Sequence, residues 1–254
     1  MFEYLLRECA EELSIKYETI LSGHHIIADI NEEESLKYGS YIPLKIMSFS
    51  KEPSLNDGTV IISVYPRYKK FIEEFYDLFK SDVFNDSALN WLSENIKQLI
   101  LYEGYENKTP PLSYGYIYAQ NKTEKLNINK ILPSTIKIEP ENNYNNLTYF
   151  KFNRLFANEQ TCYGTVIDND LVAYAALNYP PYKKTSSIGV GTIEKERRKG
   201  YALSNTIAVA KNFIENGNDA SYRCSCKNIA SQQIAKSAGF DFIAKKYEIF
   251  CEHI

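Results

Sequence analysis

An apolar segment that leads through a basic turn into a helix constrains the fold of this chain most strongly. The segment reads IGVGTIEKERRKGYA and covers residues 188–202. Its apolar part, residues 188–193, predicts a strand. The residues after the turn predict a helix, because apolar side chains recur there at the spacing of a buried helical stripe; they are Leu203, Thr206, Ile207, Ala210, Phe213 and Ile214. Gly217 is the expected end of that helix, so the chain contains a strand, a turn and a helix in direct succession.

The turn itself has the composition of a phosphate-binding loop. The first turn of a helix carries backbone N–H groups without intrahelical partners, and it lies at the positive end of the helix dipole. Gly200 lets the backbone approach an anion closely, Ala202 keeps the next turn small, and Arg197, Arg198 and Lys199 add cationic donors. We therefore predict that residues 197–202 bind a pyrophosphate. The alternative is a solvated charged turn between a strand and a helix.

A second segment supports the first interpretation. After a predicted strand at residues 221–226, the chain reads NIASQQIAKSAGF over residues 228–240, and a last strand is expected to end near Phe250. The two segments together resemble the GNAT superfamily of acyl-CoA-dependent N-acyltransferases. The most widely shared motif of that superfamily is Arg or Gln, two residues, Gly, one residue, then Gly or Ala, and Arg197, Gly200 and Ala202 match it.

The second hallmark of the superfamily is an Asn-led helix that ends in Gly-Phe eleven residues later, as Asn228 and Gly239-Phe240 do. The resemblance covers roughly residues 125–254. Within the superfamily, both segments are most similar to a bacterial branch that includes zwittermicin-type antibiotic self-resistance acetyltransferases. The implied fold class is α/β (α+β), with a C-terminal mixed, mainly antiparallel sheet flanked by helices and an N-terminal α/β domain.

The resemblance also implies acetyl-CoA as co-substrate. In GNAT folds the strand before the basic turn splays from its neighbour, and the acyl-pantetheine arm lies in the gap. Carried over, the cofactor-binding residues are Val190, Thr192 and Ile193 beside the thioester arm, Arg197, Arg198, Lys199, Gly200, Tyr201 and Ala202 around the pyrophosphate, and Asn228 and Ser231 on the other side of the arm.

The catalytic residues are left unassigned by the resemblance. An amine that attacks the thioester directly, in a ternary complex, needs a base and a stabilised leaving group. Many relatives supply a general-acid tyrosine seven residues after the motif asparagine, and Ala235 occupies that position here. Glu194 and Glu196 are candidates for the base, with a solvated or structural role as the alternative. Cys226 and Tyr247 are further candidates without motif support.

Two functions are consistent with these motifs. The first is an N-acetyltransferase that moves an acetyl group from acetyl-CoA to a primary amine, either of a small molecule or of an amino terminus. The second is a catalytically inactive GNAT-fold module that senses acyl-CoA or binds a partner. The replacement of the tyrosine by Ala235 supports the second, whereas an intact basic turn favours a bound cofactor under either.

The composition excludes several kinds of partner. A net charge of -3 argues against a general nucleic-acid or anionic-membrane surface. Apolar runs stay short of the ~18 residues that a membrane helix needs, and the amino-terminal residues lack the basic and apolar regions of a signal peptide. We therefore expect a cytoplasmic protein with neither a nucleic-acid nor a membrane partner.

The cysteines and histidines give little sign of a metal site. An odd number of cysteines, five, without an export signal predicts reduced thiols. Cys224 and Cys226 share one face of a predicted strand, either as a metal or redox pair or as two small strand residues. The histidines, His24, His25 and His253, have no ligand spacing. We predict no metal.

The remaining elements suggest a boundary between domains at residues 1–120 and 121–254. In the first part we predict a helix over residues 2–21, strands in HIIADI, YIPLKIMSF and residues 59–65, and two helices, the second capped by Asp86 or Ser87. Residues 107–125 predict a linker or long loop. One interpretation of this part is a degenerate GNAT-like half, but PRYKK at residues 66–70 lacks the glycine for close phosphate approach, so we assign it no cofactor. Our hypothesis for its role is that it covers one side of the C-terminal sheet and helps to shape the substrate pocket.

In the second part we expect the GNAT acetyltransferase domain. Ahead of the basic turn it should contain a strand over residues 131–138 and a helix over residues 145–156. A hairpin of residues 161–167 and 171–177 should follow, joined by the polar turn Asp168-Asn169-Asp170.

Overall fold

The computed structural model of the chain describes residues 2–30, 40–51, 58–101, 112–139, 144–145, 161–178 and 184–252. The chain divides into two compact units, each built from two separate stretches. The C-terminal unit comprises residues 1–8 and 117–241, and the N-terminal unit comprises residues 9–116 and 242–254. The predicted boundary at residue 120 stays a prediction.

The elements that the structure describes are numbered here in chain order. The helices are α1 (Glu3–Glu12), α2 (Tyr17–Leu21), α3 (Lys69–Phe79), α4 (Asp86–Leu101), α5 (Tyr201–Glu215) and α6 (Ile229–Ala238). The strands are β1 (Ile26–Asp29), β2 (Ser40–Phe49), β3 (Thr59–Val64), β4 (Leu112–Gln120), β5 (Thr135–Lys137), β6 (Cys162–Ile167), β7 (Asp170–Leu177), β8 (Thr185–Thr192), β9 (Asp219–Ser225) and β10 (Asp241–Glu252). None of the described helices is long and apolar enough to cross a membrane.

The N-terminal unit is a sheet in the order β1-β3-β2-β10, covered on one face by α3 and α4. The β1 and β3 strands run parallel, and the other two ladders are antiparallel. Alternate residues of β2, such as Leu44 and Ile46, pack against Phe75 of α3 and Leu92 of α4. The predicted strands and the two amphipathic helices are therefore present.

Two details of this unit correct the sequence-based expectation. The predicted helix over residues 2–21 is broken in two, because Ser14 takes a left-handed conformation with φ of 53°. The N–H of Ile15 then bonds to Ala10 O and the N–H of Ser14 to Glu11 O, each at 3.0 Å, which is the Schellman pattern of a helix end. The cap of α4 is Asn85, whose Oδ1 accepts the N–H of Ala88 at 2.8 Å, rather than Asp86 or Ser87.

A third correction concerns the segment predicted as a linker. Residues 112–120 form strand β4, with Ile117, Tyr118 and Ala119 buried. Tyrosine-rich sequence favours strands, but this segment lies next to two prolines and many polar residues, which suggested a loop. Those prolines, at residues 110–111, lie outside the described residues.

The C-terminal unit contains the predicted sheet in the order β4-β9-β8-β7-β6-β5. Strands β8 and β9 run parallel, whereas the β5–β6, β6–β7 and β7–β8 ladders are antiparallel. Helices flank this sheet, and the mixed, mainly antiparallel α+β class is confirmed. The predicted hairpin is also confirmed, because β6 and β7 are joined by Asp168 and Asn169 with φ of 50° and 65°, as a two-residue hairpin loop requires.

Of the two elements predicted before the hairpin, one differs from the prediction and the other lies almost wholly outside the described residues. Strand β5 is shorter than predicted and covers only Thr135–Lys137, because residues 132–135 form a turn in which the N–H of Thr135 bonds to Leu132 O at 3.0 Å. The helix predicted over residues 145–156 lies outside the described residues except for Asn145, which forms an isolated parallel bridge with Asp170.

Candidate cofactor site

The basic turn contains left-handed backbone at its glycine. Gly200 has φ of 84° and stands directly before α5 as its N-cap residue, without a side-chain cap. Arg198 is also left-handed, with φ of 65°. A Cβ at Gly200 would meet nothing closer than Leu132 Cδ1 at 3.9 Å, so the conformation, and not a lack of space, is what calls for glycine here.

Six consecutive backbone N–H groups around this turn lack a protein acceptor. The N–H of Arg197 bonds to Glu194 O at 3.2 Å, and the first helical bond of α5 runs from Ser204 N to Gly200 O at 3.0 Å. Between them, the N–H groups of residues 198–203 find no acceptor among the residues that the structure describes. We call these six groups the cradle. They lie at the positive end of the α5 dipole, where an anion is stabilised.

A cleft of about 680 Å³ opens beside the cradle. The predicted cofactor residues that line it are Val190, Thr192, Arg197, Arg198, Gly200, Tyr201, Ala202, Asn228 and Ser231. The structure thus brings together residues from the end of β8, the start of α5 and the start of α6. This volume is within the range of small-molecule sites.

Two predicted residues do not line the cleft. Ile193 is 8% exposed and its N–H bonds to Val172 O at 3.0 Å, so it belongs to the core beneath the turn. Lys199 directs its Nζ to Glu196 Oε2 at 2.8 Å. This hydrogen bond raises the pKa of Lys199 and holds its charge on Glu196.

Sequence reasoning missed several lining residues: Gly191, Leu203, Ala230 and Ile234, together with Glu196, which was considered only as a base. The signals were present for most of them. Gly191 lies between the predicted Val190 and Thr192, and Ile234 is one helical turn after Ser231.

Strands β8 and β9 separate as they approach the cleft. Among the described residues, the β8–β9 ladder pairs only Thr185, Ser186 and Ser187 with residues 219–221. Both strands continue beyond it, β8 to Thr192 and β9 to Ser225. Residues 188–192 still pair with β7 on their other edge, so the edge of β8 that faces β9 offers backbone N–H and C=O groups for a ligand.

A buried hydroxyl on the cleft wall also lacks a hydrogen-bond partner within the described residues. Thr192 Oγ1 is buried and finds no hydrogen-bond partner in the described part of the chain. Buried polar groups are nearly always hydrogen-bonded. The orphaned hydroxyl, the open strand edge and the cradle together fit a long ligand with an anionic end, as acetyl-CoA is.

Helix α6 forms the opposite wall and is held firmly at both ends. Asn228 Oδ1 accepts the N–H of Ser231 at 3.1 Å, so the motif asparagine caps the helix. At the other end Gly239 has φ of 98°, and its carbonyl accepts Gln120 Nε2 at 2.6 Å. A Cβ at Gly239 would overlap the carbonyl oxygen of Lys125, which explains the glycine.

The candidate catalytic residues are not placed to act as an acid or a base in the cleft. Ala235 is fully buried on α6, and its methyl side chain supplies no general acid. Burial raises the pKa of the Cys226 thiol, which disfavours the thiolate. Tyr247 lies in the core of the N-terminal unit, and Glu194 lies exposed in the turn before the cradle.

One residue near the cleft carried no signal in the sequence. Burial raises the pKa of Tyr222, on β9, although a hydrogen bond from the side chain of Ser231 opposes that shift. As to metals, the described residues contain no group of three or more His, Cys, Asp or Glu side chains placed to hold an ion.

Comparison with known proteins gives one family. A family model described as GNAT acetyltransferase matches residues 46–250. The match begins far ahead of residue 125, where the resemblance in the motifs begins, so it includes much of the N-terminal unit. No curated protein matches the chain.

Solved structures similar to this chain have low sequence identity to it. A GCN5-related N-acetyltransferase-like protein from Streptococcus suis is 14% identical, with 99% of this chain and 100% of that chain covered and a TM-score of 0.46. An acetyltransferase from the GNAT family of Colwellia psychrerythraea is 14% identical, with coverages of 74% and 75% and a TM-score of 0.46. A GNAT-family structure from Novosphingobium aromaticivorans is 16% identical, with coverages of 57% and 66% and a TM-score of 0.43, so this chain spans slightly less than two thirds of its length.

Proposed function

Since this chain belongs to the GNAT acetyltransferase family, whose model covers residues 46–250, we propose that it transfers an acetyl group from acetyl-CoA to a primary amine. The amine belongs to a small molecule or to the amino terminus of a polypeptide, and it attacks the thioester directly in a ternary complex. The cradle carries this proposal, because six free N–H groups at a helix start form a site for a pyrophosphate. The closeness to zwittermicin-type self-resistance enzymes stays a prediction.

Different groups of the protein bind different parts of acetyl-CoA. The N–H groups of residues 198–203, with the side chains of Arg197 and Arg198, hold the pyrophosphate. The open edge of β8 and the hydroxyl of Thr192 hold the amide-containing arm. Acetyl-CoA supplies an activated acyl group, and the protein supplies the position and the backbone dipoles that stabilise developing charge.

The acceptor amine must lose a proton before or during its attack. None of the candidate bases is placed to do so without rearrangement, since Glu196 is engaged by Lys199 and Cys226 holds its proton by burial. We therefore assign deprotonation to water in the cleft. The cytoplasm is the compartment that we propose, because Cys9, Cys162, Cys224 and Cys226 are free thiols.

The second candidate function is a non-catalytic acyl-CoA sensor. Its support is Ala235, which fills the usual position of the general acid with a buried methyl group. Such a module would bind acetyl-CoA in the same cleft and present the loaded state to a partner. The two candidates make the same prediction for binding and opposite predictions for turnover.

The test is acetyl-CoA binding by calorimetry, followed by thiol release in the same sample with a panel of primary amines and amino-terminal peptides. We expect binding and amine-dependent release of CoA. Binding without release across the panel would favour the sensor. Absence of binding would overturn the assignment of the cradle and both candidates with it.

A further inference from the structure

A cluster of polar side chains lies between the start of α5 and the sheet. Ser204 directly follows the cradle, and Asn205 follows Ser204. Both are fully buried, as is Thr165 on β6, and Thr135 on β5 is partly buried. We call these four residues the polar cluster. Burying polar groups beneath a helix costs free energy unless they are hydrogen-bonded, so the partners of these groups decide what the cluster can do.

The hydrogen bonds of the polar cluster join the start of α5 to two strands. The N–H of Leu132 donates to Ser204 Oγ at 2.7 Å, and the hydroxyls of Ser204 and Thr135 are 2.5 Å apart. Thr135 donates its hydrogen to Asn205 Oδ1 at 3.0 Å, so Ser204 is the donor between the two hydroxyls. Thr165 donates to the same Asn205 oxygen at 3.3 Å. The helix is thus bonded to the turn before β5, to β5 and to β6.

Ser204 connects this network directly to the cradle. Its backbone N–H bonds to Gly200 O at 3.0 Å, which is the first helical bond of α5, while its hydroxyl is held by Leu132. The same Leu132 supports the glycine, because its Cδ1 is 3.9 Å from the position that a Cβ of Gly200 would take. The turn before β5 therefore holds the start of the helix from below.

The polar cluster is not arranged for the greatest stability. Asn205 Nδ2 is buried and has no acceptor within the described residues. A polar network that is only partly hydrogen-bonded is less stable than apolar packing of the same shape. Local rules of this kind are broken mainly at functional sites. The position of the cluster, immediately after the cradle, indicates which function it serves.

We propose that the polar cluster sets the position of the cradle relative to the open edge of β8, and that Ser204 and Thr135 are positioning residues for acetyl-CoA. This inference rests on the proposed function. Acetyl-CoA contacts the cradle and the β8 edge at the same time, and the gain from two linked contacts is lost when their spacing is wrong. Since α5 packs on β5, β6, β7 and β8, bonds that stop the helix from sliding over these strands fix that spacing.

The first test removes one hydroxyl that lies outside the cleft. Thr135→Val keeps the shape of the side chain and removes the link from β5 to Ser204 and Asn205. We expect the affinity for acetyl-CoA, measured by calorimetry, to fall roughly 10-fold, because misplacement by about 1 Å has effects of this size or larger. Thr135 does not line the cleft. Thr135→Ser keeps the hydroxyl and should restore most of the affinity.

Thr206→Val is the matched control for this test. Thr206 is fully buried on the same helix, and its hydroxyl donates to Ala202 O at 2.7 Å, so its bond stays inside α5. The variant loses a buried hydroxyl without losing a link to the sheet, and its affinity for acetyl-CoA should stay close to that of the wild type. An equal loss of affinity in Thr206→Val would overturn the proposal, as would an unchanged affinity in Thr135→Val.

The second test separates positioning from stability. A quadruple variant, Thr135→Val, Thr165→Val, Ser204→Ala and Asn205→Leu, replaces the polar cluster by apolar side chains. We expect it to unfold at the same temperature as the wild type or at a higher one, because whole buried polar networks can be replaced in this way without loss. Its affinity for acetyl-CoA should fall at least as far as that of Thr135→Val. A quadruple variant that unfolds earlier and binds acetyl-CoA as tightly as the wild type would show that the cluster serves stability, and would overturn the proposal. If this variant does not fold, the single variants of the first test decide.

The wild-type protein separates this inference from the function on which it rests. If the wild type turns over, Thr135→Val should raise the KM for acetyl-CoA and leave kcat unchanged, because the cluster does not touch the reacting atoms. Binding by the wild type without turnover would refute the acetyltransferase function, and the affinities would still decide the role of the cluster. Turnover by the wild type together with an unchanged affinity in Thr135→Val would refute the inference alone. Absence of acetyl-CoA binding by the wild type would refute both.

Discussion

The carboxylate of Asp219 accepts the backbone N–H of Leu5 at 3.1 Å, although 214 positions separate the two residues in the chain. The same oxygen accepts the N–H of Tyr4 at 2.9 Å, and the other oxygen accepts Asn121 Nδ2 at 3.1 Å. Asp219 is only 3% exposed. The first strand residue after α5 thus caps the start of α1, and it does so inside the unit that holds the cleft.

Replacing this carboxylate should destabilise the protein. We expect Asp219→Ala to lower the free energy of unfolding by about 2–4 kcal/mol, because it removes one buried and two partly buried hydrogen bonds and a helix cap. Urea unfolding measures the change. Asp241→Ala is the matched control, since Asp241 is 44% exposed in its ion pair with Lys125 and should contribute less than ~1 kcal/mol. Equal losses in the two variants would contradict the capping role.

A charged side chain in the cradle should prevent cofactor binding. We expect Gly200→Asp to weaken acetyl-CoA binding by roughly 100-fold or more, because it places a negative charge among the six free N–H groups. Because Gly200 has a left-handed φ of 84°, the aspartate should also lower the stability by about 1 kcal/mol. Calorimetry and thermal unfolding measure the two effects.

Gly217→Asp provides the control for the backbone cost. Gly217 has φ of 77° at the far end of α5, and a Cβ there would meet nothing within 4 Å. This variant should lose a similar amount of stability and keep its affinity for acetyl-CoA. Loss of binding in both variants would show that backbone strain, and not the cradle, explains the effect of Gly200→Asp.

The two neighbouring cations should differ in their effect on binding. Arg197 lines the cleft in extended backbone, whereas Lys199 is bonded to Glu196 at 2.8 Å. We expect Arg197→Ala to weaken acetyl-CoA binding by about 10-fold and to reduce its salt dependence. Lys199→Ala should change the affinity less than ~3-fold. A larger effect of Lys199→Ala, measured by calorimetry at two salt concentrations, would contradict this placement.

The cysteines of the C-terminal unit should react with iodoacetamide in a fixed order. Burial raises the pKa of Cys162 to about 12 and that of Cys224 to about 11. The reactive thiolate forms as pH rises through the pKa, so near pH ~8.5 these two thiols stay almost fully protonated. Burial also raises the pKa of Cys226, but the charge of Lys227 opposes that shift.

We therefore expect alkylation of the native protein in the order Cys226, Cys224, Cys162, followed by peptide mass spectrometry. The rates should rise with pH, and denaturation should make the three cysteines equally reactive. Early labelling of Cys162 in the native protein would contradict its burial at 1% exposure.

Several parts of the fold and of the site could be predicted because their signals are local. Gly200 was expected before one helix and Gly239 at the end of another, and both are found there. Asn228 was expected to lead a helix, and its side chain caps α6. The turn at Asp168 and Asn169 was recognisable from polar residues between two apolar runs.

Other features had no local signal. The break of the first helix at Ser14 depends on a left-handed serine, and serine at this position is not distinguished from a helical one by apolar spacing. Strand β4 was mistaken for a loop because its burial depends on neighbouring strands. Lys199 was grouped with Arg197 and Arg198 by composition, yet a neighbouring carboxylate draws it away from the cleft.

By itself, then, the sequence determined most of the order of elements, the basic turn before α5 and the asparagine cap, because backbone conformation and helical or strand spacing are properties of a few consecutive residues. Only the tertiary structure decided that β8 and β9 part after Ser187 and Ser221, and that Asp219 caps α1. These contacts join residues that are distant in the chain, and their energies depend on burial and on geometry that packing alone creates.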